Sequence, residues 1–161
     1  MKALFAIAGL GMCLGACGSS EPSGPPPELR DDARALEELL ADDLVLLAVA
    51  EADEAVADDL PVRGAERLRA GAIPAARRQV EQARAVSAAT AEGVALRDEV
   101  VAALDARRAA LERYADVLER GLVEDLELAV ALRAQREAEG GIDTLLGRLQ
   151  AIRQPENTSP R

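Results

Sequence analysis

The chain has 161 residues and a formal net charge of −10, with no histidine and no tryptophan. This length fits a single domain. The lack of histidine excludes a catalytic triad base and imidazole metal ligands. One tyrosine and one phenylalanine are too few to build an aromatic platform for sugars or bases. The acidic balance argues against nucleic acid as a partner, because binding to phosphates requires a basic surface.

The first sixteen residues have the three parts of a secretory signal peptide. Met1 and Lys2 supply a positive start, residues 3–14 are apolar or small, and Gly15 and Ala16 are small residues at the end. This is the order that precedes a cleavage site. The apolar run is too short to cross a bilayer, which takes about 20 residues. We therefore predict that residues 1–16 are a signal peptide that is removed.

The only two cysteines, Cys13 and Cys17, lie at the end of this segment. The stretch Leu14-Gly15-Ala16-Cys17 resembles the lipobox of bacterial lipoproteins. This resemblance implies that the Cys17 thiol receives a diacylglyceryl group and that a dedicated signal peptidase cuts after Ala16. Cys17 then becomes the first residue, and its amino end is acylated too, for example by palmitate. Two or more such chains give stable membrane anchoring. Cys13 fits less well, because bulky Met12 would occupy the position before the cut.

Residues 17–27 follow as a lipid anchor and tether, since their Gly, Ser and Pro residues are typical of a flexible linker. About ten residues at roughly 3 Å each would hold the body up to about 30 Å from the bilayer. Gly18, and not an aspartate, follows the lipidated cysteine. In lipoproteins of the enteric Gram-negative type, that pattern implies export to the outer membrane. The expected location is the bacterial envelope, anchored in the outer membrane and facing the periplasm.

Residues 28–153 are predicted to form an all-α domain, followed by a disordered tail over residues 154–161. From residue 28 to 60, leucines recur at helical spacing and predict one helix that ends before Pro61. The segment LVLLAVA, residues 44–50, is apolar on all sides, so it must be covered all round. A short helix is expected over about residues 62–71, with Gly71 as its cap and a new helix beginning at Pro74.

From residue 75 onward a heptad pattern is visible, with mostly aliphatic residues at the two seam positions. The exceptions at seam positions are Arg107, Gly121, Glu124 and Gln135. The phase of the pattern continues through Gly121 and through the Gly140-Gly141 pair, which fits one long or kinked helix and a long-helix antiparallel hairpin. Turns at Gly93, Gly121 or Gly140 would instead produce a bundle of three or four helices. Both architectures are compatible with the pattern.

Charge is unevenly distributed along the body. Residues 28–60 hold twelve acidic residues and two arginines, whereas residues 61–89 hold six arginines and two glutamates. We expect the two segments to pair as antiparallel neighbours whose charges attract each other. The alternative is that the acidic segment forms a surface for a cationic partner.

The carboxylate pairs Asp31-Asp32, Asp42-Asp43 and Asp58-Asp59 are the candidate cation ligands. Calcium needs several oxygens converging at about 2.5 Å, and neighbouring residues of a helix point to different sides. We therefore predict no specific metal site and no cofactor. Paired carboxylates can also hydrolyse glycosides, but a bundle without an aromatic-lined cleft argues against this activity.

Three hydroxyl side chains remain as candidate catalytic groups. Tyr114 occupies a seam position and is predicted to be a core side chain whose hydroxyl lies near the surface. Ser87 and Thr90 have no base that the sequence identifies, and they are expected to mark a helix face or a cap. The protein is therefore predicted not to be an enzyme.

Three functions are compatible with these features. The first is a lipid-anchored interaction or scaffold module that binds another envelope protein. The second is a structural coiled-coil lipoprotein that associates with itself along the seam. It is somewhat similar to the small major outer-membrane lipoprotein that is bonded to peptidoglycan through a C-terminal lysine. This chain ends in Arg161 and has no lysine after residue 2, so we expect no such bond. The third is a carrier of an apolar ligand that opens its bundle.

Overall fold

A computed structural model describes residues 24–41, 44–121 and 126–154. The predicted signal peptide, Ala16, Cys17 and residues 155–161 of the predicted tail lie outside these described residues. The described helices are α1 Pro27–Leu40, α2 Leu44–Ala57, α3 Pro61–Arg67, α4 Ile73–Ala85, α5 Ala91–Glu119 and α6 Leu126–Arg153. A π-helical segment, Leu68–Ala72, joins α3 to α4. No strand occurs in the described residues, and the all-α prediction is confirmed.

The helices form a bundle of four arms. The first arm is α1 followed by α2, the second is α3, the π-helical segment and α4, and α5 and α6 are the third and fourth. α5 packs against α6 and the second arm, α1 packs against α6, and α2 packs against α3. Of the two architectures that the sequence permits, the four-helix bundle is the observed one.

Two apolar clusters fill the bundle, one at each end. The cluster nearest the start of α1, which we call the proximal core, consists of Leu29, Ala33, Leu36, Leu40, Val80, Ala83, Leu96, Val100, Leu104, Ile142, Leu145 and Leu149. The distal core includes Val45, Val49, Ala65, Leu68, Ala76, Leu111, Tyr114, Leu118, Leu128 and Ala131. Residue numbers run from proximal to distal in the first and third arms and the opposite way in the second and fourth. The arms therefore alternate up and down.

The prediction of one helix from residue 28 to 60 is wrong, because α1 ends at Leu40 and α2 begins at Leu44. Ala41 closes α1 with its N–H donating to the Glu37 carbonyl at 2.9 Å. The expectation that residues 44–50 are covered all round is also wrong. Leu44, Leu46 and Leu47 are 55%, 45% and 62% exposed, because α2 is packed on one side only.

The predicted break near Gly71 and Pro74 does not occur. The second arm continues through the π-helical segment, in which the Ile73 N–H donates to the Leu68 carbonyl. A proline has no N–H and crowds the preceding turn, and a π-helical turn is one way in which a helix absorbs such a local mismatch. Gly71 is not a cap. A Cβ at Gly71 would lie 3.1 Å from the Ala48 Cβ, so this glycine permits close packing on α2.

The helix ends of the third and fourth arms show which of Gly93, Gly121 and Gly140 lies in a turn. α5 ends at Glu119, and Gly121 adopts a φ of +71°, which L-amino acids rarely adopt. Gly93 lies inside α5, whose N-cap is Thr90, as expected for a capping residue. Gly140 and Gly141 lie inside α6. Only the Gly121 turn of the three candidates is therefore observed.

Candidate interaction surface

The exposed apolar side chains are concentrated in one half of the bundle. Among the described residues, eight large apolar side chains are substantially exposed: Leu44, Leu46, Leu47, Leu60, Val62, Val94, Leu126 and Val130. All except Val94 belong to the distal half, around the distal core. Isolated exposed apolar residues are normal on protein surfaces, whereas a concentration on one region is typical of a binding surface.

α2 carries the clearest part of this surface. Its inner face consists of Val45, Val49 and Ala52, which are buried in the distal core. Leu44, Leu47, Glu51 and Glu54 are exposed and follow one another at intervals of three, four and three residues. Such spacing places them on one face of the helix. We call this set the outer stripe of α2. It presents two leucines and then two carboxylates to solvent.

The glutamates of the outer stripe are not engaged by neighbouring charges. Within the described residues no ion pair involves the Glu51 or Glu54 carboxylate; Arg67 reaches only the Glu51 backbone carbonyl. The adjacent Asp53 is also exposed, and one of its carboxylate oxygens accepts a hydrogen bond from the Tyr114 hydroxyl at 2.9 Å. The outer face of α2 is therefore apolar at its start and acidic towards its end.

A groove between α5 and α6 is a second feature of the surface. Its floor is lined by small side chains, namely Ala106, Ala109, Ala110, Ala134 and Ala138. Towards the distal end the same groove passes Arg113 and continues between Val117, Leu126 and Val130. Arg113 has no ion pair among the described residues. The alanines let the two long helices approach closely, and the groove is open to solvent along its length.

A buried polar layer separates the two cores. Arg107 Nε donates to Glu139 Oε1 at 2.8 Å, and a second bond joins Nη2 to Oε2. Arg107 Nη1 donates to Gln79 Oε1 at 3.3 Å. The side chain of Arg107 is 4% exposed and that of Glu139 is 23% exposed. Arg107 is one of the seam exceptions in the heptad pattern. Its charge is satisfied inside the bundle by Glu139 and Gln79, so this layer sets the register of three arms.

Asp32 is also structural. Its carboxylate accepts hydrogen bonds from the Ala89 N–H at 3.0 Å and from the Thr90 N–H at 3.2 Å. The Thr90 hydroxyl donates to Asp32 at 3.0 Å and accepts from the Gly93 N–H at 2.9 Å. Asp31 points to the other side and pairs with Arg34 at 2.8 Å. The two carboxylates of this pair thus point to different sides of α1, as the sequence predicts.

We expect the Asp32→Asn substitution to destabilise the protein by about 2 kcal/mol at neutral pH, since hydrogen bonds to a buried charge are among the strong ones. Burial raises the pKa of Asp32, but the bonds from Ala89 and Thr90 outweigh it and hold the pKa below its ordinary value. The stabilisation is therefore present above about pH 4 and is lost as the pH falls through the lowered pKa. Urea unfolding, monitored by circular dichroism at several pH values, measures this loss of stability.

In that experiment the free energies of unfolding of the Asp32→Asn variant and of the unchanged protein should become more alike as the pH is lowered below about 4. The matched control is Asp31→Asn, which removes an equal charge from an exposed side chain and should change the stability by less than about 0.5 kcal/mol. A loss from Asp32→Asn that stayed constant down to about pH 2 would contradict the assignment.

Tyr114 is placed as the sequence predicts. The ring is buried in the distal core at 2% exposure, and its hydroxyl reaches the exposed Asp53. Burial, together with this hydrogen bond and the nearby carboxylate charge, raises the pKa of Tyr114 well above its ordinary value. A tyrosine that is held neutral in this way ties α2 to α5 and is a structural group.

Three of the six arginines of the second arm pair with acids of α5, and not with the acidic first arm as predicted. Arg69 pairs with Asp116 at 2.8 Å and Arg84 with Asp105 at 2.7 Å, and Arg77 pairs with Glu112 at 2.7 Å. These acids belong to α5. In the described residues, no ion pair joins the acidic first arm to the second arm. The two arms are neighbours, as expected, but the predicted ion pairs between them are not found among the described residues.

No protein-family model, no curated protein sequence and no solved structure matches this chain. No helix among the described residues is long and apolar enough to cross a bilayer. The same residues contain no group of three or more Cys, Asp and Glu side chains that could hold a metal ion. Two features therefore bear on function, namely the predicted lipid anchor and the distribution of exposed side chains.

Sequence reasoning missed the outer stripe of α2 because an all-apolar segment is normally a buried one. The signal that could have found it is Glu51 and Glu54, which continue the spacing of Leu44 and Leu47. A fully buried helix would not place two carboxylates on a face that begins with two leucines. The groove between α5 and α6 could not have been located, because its position depends on how the two helices are rotated against each other.

Proposed function

We propose that this protein is a lipid-anchored, non-catalytic protein of the bacterial envelope whose helical bundle binds another envelope protein. The observation that carries the proposal is the concentration of exposed apolar side chains in the distal half of the bundle. The described chain begins at the proximal end, and the predicted lipid anchor at Cys17 precedes it. The distal half is therefore the part farthest along the bundle from the anchored end.

The dimensions support this arrangement. The ten residues from Cys17 to Pro26 span at most about 35 Å when fully extended. The single helix α5, which has 29 residues and reaches from the proximal to the distal core, adds about 40 Å at 1.5 Å per residue. A surface in the distal half can thus reach a partner that lies several tens of ångströms from the bilayer. The proximal half faces the anchored end and exposes only Val94 among the large apolar side chains of the described residues.

The alternatives receive less support from the geometry. The seam that would join copies of a structural coiled coil is occupied within one chain, since Val100, Tyr114, Leu128, Ile142 and Leu149 are all buried. Self-association along that seam would require the bundle to open. A carrier of an apolar ligand needs a chamber, whereas the grooves that pass Ala109 and Val117 are open to solvent. These features favour the interaction module.

Photo-cross-linking in cells tests the proposal. A benzophenone amino acid is placed at Leu47, Val62 or Val130 in the distal half, and at the exposed Ala95 or Ala151 in the proximal half. We expect the distal positions to give one common cross-linked envelope protein and the proximal positions to give little of it, because only the distal half presents apolar surface.

The control for anchoring is Cys17→Ala, which should leave an unprocessed chain that no longer fractionates with the membrane and loses the cross-link. Cys13→Ala should behave as the unchanged protein. Cross-links that are absent from every distal position would refute the interaction module. Normal membrane retention of the Cys17→Ala chain, with unchanged mass, would refute the anchor.

A further inference from the structure

We propose that the outer stripe of α2 is a docking surface for a cationic amphipathic segment of a partner protein; this rests on the proposed function and names the chemistry of its partner. The stripe offers two apolar contacts at Leu44 and Leu47, followed on the same face by the carboxylates of Glu51 and Glu54. A matching segment presents apolar side chains next to arginine or lysine along one helix face. Such helix-to-helix docking is a recurring mode of recognition.

The apolar part of the stripe is large enough to act as an anchor. Leu44 and Leu47 are more than half exposed and Leu46, beside them, is nearly half exposed. Burying a leucine side chain is favourable relative to leaving it in water. No other stretch of four residues in the described part of the chain contains three of the large exposed apolar side chains. A partner that covers this face therefore gains binding energy that the isolated bundle does not.

The acidic part of the stripe selects the sign of the partner's charge. Glu51 and Glu54 lack ion pairs within the described residues, and the exposed Asp58 follows them at the end of α2. The chain as a whole carries a net charge of −10. Exposed carboxylates that no neighbouring cation neutralises attract a cationic segment and repel an anionic one. This excludes the surface of an anionic bilayer as the occupant, because its headgroups would face these carboxylates.

A second copy of the chain is a poor occupant. Arg69, Arg77 and Arg84 are each paired with acids of α5, and the exposed arginines without an ion pair in the described residues, which include Arg113, are spread over three arms. Two copies that approach each other would also bring together two strongly acidic molecules. The observations therefore favour a different protein with a basic helical segment.

The test uses the full lipidated chain with the benzophenone amino acid at position 47. The double substitution Glu51→Arg and Glu54→Arg should reduce the yield of the cross-linked product at least about tenfold, because like charges then face each other. Glu38→Arg with Glu81→Arg makes the same change in net charge at exposed proximal sites and should leave the yield unchanged. The yield should also fall when ionic strength is raised from about 0.05 M to about 0.5 M.

Mass spectrometry of the product then locates the segment that contacts position 47. The proposal expects a segment with arginine or lysine beside apolar residues, and reversal of those cationic residues to glutamate should restore cross-linking to the Glu51→Arg, Glu54→Arg chain. Compensation of this kind is not expected if the substitutions merely unfold α2. A circular dichroism spectrum of the double variant serves as a further check of folding.

Several outcomes would overturn the docking surface while leaving the proposed function intact. One is a normal yield from the charge-reversed chain, which would mean that the partner is not selected by charge. Another is a product at Val130 but none at position 47, which would move the interface to the groove between α5 and α6. A product that consists of two copies of this chain, or of lipid, would also overturn it. Failure of all distal positions would instead refute the proposed function itself.

Discussion

Replacing Glu139 with alanine is expected to lower the free energy of unfolding by about 3–5 kcal/mol, because it leaves the Arg107 guanidinium buried without its counter-charge. The Arg107 side chain is 4% exposed, so water cannot replace the two hydrogen bonds that Glu139 accepts. The Gln79 side-chain carbonyl is neutral and compensates only in part. Urea unfolding of the purified protein, followed by circular dichroism at 222 nm, measures the loss.

The reverse single substitution distinguishes this mechanism from a general loss of packing. Arg107→Met leaves Glu139, whose side chain is 23% exposed and can turn towards water, so the cost is expected to be about half as large. The double variant Arg107→Met, Glu139→Leu removes both charges and is expected to lie within about 1 kcal/mol of the unchanged protein, or above it. If Glu139→Ala cost less than Arg107→Met, burial of the unpaired guanidinium would not be the main cause of the lost stability.

The second large effect is expected from Gly93→Ala, which should destabilise the protein by about 2–4 kcal/mol, mainly through lost hydrogen bonds to a buried charge. A Cβ at Gly93 would lie 2.7 Å from Asp32 Cγ and 2.9 Å from Thr90 Oγ1. Because real Cβ atoms do not approach so closely, the Asp32 carboxylate must move and give up its hydrogen bonds to Ala89 and Thr90. Within a helix glycine is otherwise less favourable than alanine, so a loss of stability, rather than a gain, would indicate that the added Cβ clashes with Asp32.

Gly140→Ala is the matched control for this prediction. Gly140 also lies inside a long helix, and a Cβ added there would meet nothing within 4 Å. The same chemical change should therefore stabilise the protein by about 0.5–1 kcal/mol. Thermal unfolding followed through the fluorescence of Tyr114 compares the two, since this is the only tyrosine and the chain lacks tryptophan. Equal effects of the same sign at both positions would contradict the close approach of Asp32 to Gly93.

Individual residues show where sequence reasoning about the fold was sufficient. Tyr114 at a seam position predicts a buried ring with its hydroxyl near the surface, and the structure confirms it. Threonine is one of the residues that commonly cap helices, and Thr90 is the N-cap of α5. These predictions depend on the local repeat of 3.6 residues per turn and on which side chains can satisfy free N–H groups. Neither depends on how the arms are arranged.

Other residues depended on the arrangement and were predicted wrongly. Gly71 and Pro74 have the properties of a helix end and a helix start, yet a π-helical turn carries the second arm through them. Packing of Gly71 against Ala48 stabilises the continuous arm. Helix propensity depends only on neighbouring residues in the chain, so it does not include this contact with another helix. Likewise, Leu47 belongs to a segment that looks fully buried, and its exposure follows from α2 having neighbours on one side only.

The amino-acid sequence by itself determined the all-α class and the apolar seam of the long helices, and the resemblance of residues 14–17 to a lipobox predicts the anchor at Cys17. All three are local patterns whose spacing or order is visible in the chain. Only the tertiary structure decided which of Gly93, Gly121 and Gly140 turns the chain, which acids pair with the arginines of the second arm, and which leucines remain exposed. These properties depend on the rotation and position of one helix relative to another, which are set by non-local packing of whole faces.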